Sequence, residues 1–111
     1  MNIVFHQGLT AEKWQRFSLL EQMANIGSEV GRAINWRNKG NPVQAEAALF
    51  RGLELFDLTR EDPKNLRRLR EVGRAREAFL DFFSGDNQYG FTGEAWQKYF
   101  TDFAIAARHN H

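Results

Sequence analysis

The chain predicts an all-α fold, an antiparallel up-down four-helix bundle with a short extended N-terminal arm. Three observations predict it. Apolar residues recur at spacings of three and four along most of the 111 residues. No segment alternates apolar and polar residues with the period of a half-buried strand. Start signals at Asn41-Pro42, Asp62-Pro63 and Thr92 divide the chain into helical segments joined by a few residues each, and such connections favour antiparallel neighbours.

The elements follow in order. Ile3, Val4 and Phe5 form the apolar part of the extended arm, Asn2 to Phe5, before a break at Gly8. Thr10 caps a helix that runs unbroken to Asn38. Phe17, Leu20, Ala24, Gly27, Gly31 and Ile34 make one stripe of it, and Leu19, Met23, Ile26, Val30 and Ala33 make a second. Together they are wide enough to touch two neighbouring helices, with Gly27, Gly31 and later Gly73 permitting close backbone approach. Arg37 and Lys39 suit the negative end of the helix dipole, and Gly40 takes the left-handed stop. Asn41 caps the second helix and Pro42 opens it, its missing N–H being unpaired there in any case. Ala45, Leu49, Leu53 and Phe56 are its buried stripe, while Leu55 and Leu58 lie off it and point to a further contact. The third helix starts at Asp62-Pro63 and runs to about Phe83 on a seam of Leu66, Leu69, Gly73, Arg76, Leu80 and Phe83. Thr92 caps the fourth, from Gly93 to about Ala107, with Trp96, Phe100, Phe103 and Ala107 inward. Arg108 to His111 is a polar tail.

Residues 1–111 are expected to be one domain. Hydrophobic residues at 42% and ten Phe suffice for a core. A net charge of +1 argues against a binder that relies on overall charge, though a local basic patch remains open. No cysteine is present, which excludes disulfides, thiolate metal sites and cysteine catalysis. The start of the chain lacks a secretory pattern, and no apolar run approaches the ~20 residues of a membrane helix, so no membrane association and a cytoplasmic location are expected.

Tests for chemistry find no catalytic constellation, and neither an enzyme nor a cofactor is expected. The histidines His6, His109 and His111 fall outside the expected helices, which removes the Glu-x-x-His pairs of di-metal bundles. MazG-like pyrophosphohydrolases hold magnesium with paired acidic motifs. Glu54 and Asp57 have one such spacing, but no Glu-x-x-Glu partner exists. HEPN ribonucleases carry an Arg four to six residues before a His, and no Arg here stands in that relation. A catalytically silent HEPN-like partner of a nucleotidyltransferase survives this test.

Three features point to binding. Arg76 falls on the third seam: it either snorkels from the rim and fixes register, the favoured reading, or is buried and needs an anionic partner, for which Glu46 is preferred. Arg67, Arg70 and Arg74 share a helix face that can follow phosphates, although Glu71 and Glu77 interrupt it. Around the first turn, Arg32, Trp36, Arg37 and Lys39 combine an aromatic ring with cations, which suits a base or a protein interface.

The run Phe17-Ser-Leu-Leu-Glu-Gln-Met-Ala-Asn-Ile-Gly-Ser-Glu-Val-Gly-Arg-Ala-Ile-Asn-Trp-Arg-Asn-Lys-Gly-Asn41, with Leu53-Glu-Leu-Phe-Asp-Leu-Thr59, resembles a family of short prokaryotic all-helical proteins of unknown function. The resemblance implies a small free-standing cytoplasmic protein and carries no activity or site residue. The leading expectation is a non-enzymatic module that self-associates as a homo-oligomer or binds another protein. Its rival is a nucleic-acid- or nucleotide-associated helical domain using the basic face of the third helix.

Overall fold

Helix follows helix throughout the described residues, 9–88 and 90–109 of the computed structural model, and no strand forms among them. The arm at Asn2 to Phe5, with His6 and His111, lies outside the described residues. The α-helices are α1 (Ala11–Trp14), α2 (Leu19–Asn38), α3 (Pro42–Glu61), α4 (Leu69–Ser84) and α5 (Gly93–His109), with a 3-10 segment at Pro63–Arg68 before α4. No helix is long and apolar enough to cross a membrane.

The expected first helix is two helices. Thr10 does cap a helix, accepting from the Lys13 amide at 3.2 Å, but α1 ends at Trp14. Ser18 then takes an extended conformation and starts α2 with a capping box. Its hydroxyl accepts from the Glu21 amide at 3.1 Å, while the Glu21 carboxylate accepts from the Ser18 amide at 2.9 Å. Reciprocal capping satisfies two free N–H groups and favours a new start here over continuation.

The two stripes of α2 serve two neighbours, α3 and α5. Met23, Ile26, Val30 and Ala33 are buried in the core. On the other stripe, Gly27 lets α5 come close: a Cβ there would lie 2.5 Å from the Phe100 Cβ. Gly31 and Gly73, expected to serve the same purpose, face no atom within 4 Å.

In α3 the stripe Ala45, Leu49, Leu53 and Phe56 is buried as expected. Leu55 is buried as well, and Leu58 packs against the core, so neither is left facing outward. This helix is covered on more than one side.

The third seam is rotated from its expected position. Val72, Ala75, Ala78 and Phe79 are buried, whereas Leu66 is 70% exposed and Leu80 37%. Leu66 falls on the 3-10 segment, which turns three residues per revolution and so carries it off the line of the α4 face. Within α4 the face turned inward is that of Phe79, whose ring packs against Phe56, Phe83 and Trp96. Thr92 caps α5 as expected, accepting from the Ala95 amide at 3.0 Å. The last helix runs two residues beyond Ala107 and takes in His109. Trp96 meets Phe79 edge-on with centroids 6.1 Å apart, Phe79 tilts against Phe56, and Phe100 stacks on Trp96.

Candidate functional site

The cationic residues singled out in the sequence divide into those with protein partners and those without. Arg32 pairs with Glu29 at 2.7 Å, and the buried Glu29 carboxylate also accepts from Arg51 at 3.0 Å. Arg37 donates to the Phe82 carbonyl at 3.1 Å and lies over the rings of Phe82 and Phe83. Lys39 lies over the Trp36 ring, 5.2 Å from its centroid. The turn around Trp36 is therefore occupied by contacts within the chain.

Arg76 is neither buried nor paired with Glu46. It keeps 26% of its side-chain surface and binds Asp57 through two contacts of 2.9 and 3.4 Å, while Glu46 is exposed. The rotation of α4 explains the change, since the residue expected on the seam lands on its rim. A half-exposed pair of this kind contributes little stability.

Arg67, Arg70 and Arg74 differ from all of these. They make no ion pair or hydrogen bond with any described residue. They stand on one wall of a cleft of about 500 Å³ between α4 and α5. Ala75 and Ala78 leave its floor open from the α4 side, while Trp96 and Tyr99 enter from α5 and Phe91 from the loop before it. Glu71 is the one carboxylate of the lining, and it is held by Arg68 at 2.7 Å. The result is an apolar floor with a cationic wall, shaped for an anion that carries a flat apolar body.

One polar tip marks the floor. Burial, with the Glu71 charge nearby, pushes the Tyr99 hydroxyl up to about 12 against the smaller opposing effect of Arg68, so it stays protonated and able to donate at neutral pH. Trp96 is stacked between Phe91 at 4.5 Å and Phe100 at 5.8 Å. It is 1% exposed, and its Nε1 donor, sealed from solvent, has no partner among the described residues, an exception to the rule that buried donors find an acceptor.

The opposite arrangement lies where α1, α2 and α3 meet the 3-10 segment. Trp14 Nε1 donates to Thr59 Oγ1 at 2.9 Å, and that hydroxyl donates to the Leu55 carbonyl at 2.8 Å. Gln22 donates through Nε2 to the Trp14 carbonyl at 3.0 Å and to Asp62 at 2.9 Å. Its Oε1 accepts from Asn65 at 2.8 Å, and Asn65 also donates to the Thr59 carbonyl at 3.0 Å. Lys64 closes the group by binding Asp62 and the Gln15 carbonyl. Burial pushes the Asp62 carboxyl up, but the hydrogen bonds from Lys64 and Gln22 outweigh it and hold the group below its ordinary value.

The sequence reading placed Arg67, Arg70 and Arg74 together, and the structure does so too. It did not join them to Phe91, Trp96 and Tyr99. The available signal was the spacing of Trp96 and Tyr99, two amphipathic rings on one helix face whose polar tips need partners. Among the described residues, no group of three or more His, Asp or Glu side chains is placed to hold a metal ion. Compared with protein families, with curated proteins and with solved structures, the chain matches none, consistent with a resemblance that carries no function.

Proposed function

We propose that this chain is a non-enzymatic cytoplasmic binding module, an antiparallel bundle of α2 to α5, that associates with nucleic acid through the cleft between α4 and α5. The observation that carries this reading is that Arg67, Arg70 and Arg74, on one wall of an apolar cleft, have no ion pair or hydrogen bond among the described residues. Arginines with no carboxylate partner, held in a row, suit phosphate oxygens. The near-neutral net charge fits a local contact better than wrapping by overall charge.

The test is fluorescence anisotropy with a labelled oligonucleotide at several salt concentrations. Three phosphate contacts predict that log affinity falls against log salt with a slope of about −2 for a single strand. Arg70→Ala with Arg74→Ala leaves one contact and flattens that slope to about −0.7. Binding unchanged by the double substitution rules the reading out.

A second reading, self-association, keeps one supporting observation. Val43 is 74% exposed and Leu66 70%, although Leu55 and Leu58, which first suggested it, belong to the chain's own packing. A strict monomer in light scattering at high concentration rules that reading out.

A further inference from the structure

Resting on the nucleic-acid reading, we infer that the cleft takes one unstacked base of a single strand, whose phosphates lie along Arg67, Arg70 and Arg74. The cationic wall alone would accept any polyanion. The floor narrows the choice. Its side chains, Ala75, Ala78, Phe91, Trp96 and Tyr99, offer an apolar surface in a volume of about 500 Å³, within the range that holds one small-molecule-sized group. A duplex keeps its bases stacked between two backbones. It could touch the arginines but would leave this floor empty. A single strand can turn a base inward while its backbone follows the wall.

One polar atom of the floor supports the same ligand: the half-buried Tyr99 hydroxyl lines the cleft and has no hydrogen-bond partner among the described residues. Every base carries ring-nitrogen or carbonyl acceptors at its edge, whereas polyphosphate or a simple anion brings no flat body to the floor. The faces of Trp96 are already covered by Phe91 and Phe100. The half-buried Tyr99 and Phe91 are therefore the rings left to touch the base.

The experiment uses the full chain and three probes compared at equal total phosphate: a labelled single-stranded RNA of about twelve nucleotides, the same sequence annealed as a duplex, and inorganic polyphosphate. The single strand is expected to bind about tenfold tighter than either of the others and to change the tryptophan emission. Tyr99→Ala is expected to weaken the single strand about tenfold and to leave polyphosphate unchanged. Equal binding of all three probes overturns the base-in-cleft inference while leaving the phosphate reading standing. No binding by any of them overturns the phosphate reading itself. Should Tyr99→Ala not fold, as judged by circular dichroism, the comparison of the three probes on the unaltered chain decides.

Discussion

The two ends of the 3-10 segment lead into opposite kinds of chemistry. On its Asp62 side, Trp14, Gln22, Thr59, Asp62 and Asn65 satisfy one another inside the fold. On its Arg68 side, Arg67, Arg70 and Arg74 have no ion pair or hydrogen bond among the described residues, and the nearby Tyr99 hydroxyl has no hydrogen bond there either. Both regions combine aromatic rings with polar atoms, so composition does not distinguish them. Satisfaction does. A closed polar network stabilises one arrangement of helices, because each member becomes an orphan if another is removed. An open one adds little to the fold and keeps its donors for something outside it.

If that contrast holds, substitutions in the two regions separate stability from binding. The largest expected effect is from Gln22→Leu. It removes the acceptor of Asn65 and the donor to Asp62 and the Trp14 carbonyl, leaving buried polar groups unpaired. A loss of about 3 kcal/mol in urea unfolding is expected, since each buried orphan costs about 1–3 kcal/mol. A change under about 0.5 kcal/mol would show that the network is not the closed one.

A smaller effect follows from acid. Asp62 has its carboxyl held below the ordinary value, so folding favours its ionised form. The stability this gives is fully present above the unfolded value near pH 4, and is lost as pH falls through the lower folded value. Unfolding midpoints measured from pH 6 to pH 2 are expected to fall less steeply in Asp62→Asn than in the unaltered chain, though the variant starts lower. Parallel curves would place the acid sensitivity elsewhere.

The smallest effect is expected at the open end. Replacing Arg67, Arg70 and Arg74 together with Ala removes no contact to any described residue. Stability should stay within about 0.5 kcal/mol, the usual range for surface changes. A larger loss in the same urea experiment would mean that the arginines belong to the fold after all, and the contrast would collapse.

Much of the helical layout could be read from the sequence. Asn41-Pro42 and Thr92 start helices where capping chemistry said they would, and the stripes of α3 and α5 face inward as their periodicity indicates. The errors have local causes. Ser18-Leu-Leu-Glu21 carries the capping-box pattern in plain view, yet the apolar period running through Phe17 and Leu20 hid the break. Asp62-Pro63 does start a helical segment, but its first six residues are 3-10, which takes Leu66 off the seam. Within α4 two adjacent apolar faces compete, and burial of the Val72 and Phe79 face leaves Arg76 at the rim beside Asp57. The buried polar group was invisible because Gln22, Thr59 and Asn65 look like surface residues until three elements meet around them. Of the site, the arginine row was legible as one helix face. The aromatic floor was not, because it joins two helices and a loop across the tertiary fold.

The reach of Gln22 has a consequence in time. Its side chain meets Asp62 and Asn65, forty and forty-three positions further along the chain. Bonds across such separations carry a large closure cost and form only once α2 and α3 already lie side by side. The junction then sets only after those helices have met, and it is expected to act as a latch against unfolding. Contacts made after the rate-limiting step leave the folding rate nearly unchanged and hold back escape from the native state. Weakening Gln22 would thus shorten the lifetime of the folded protein far more than it would delay its formation.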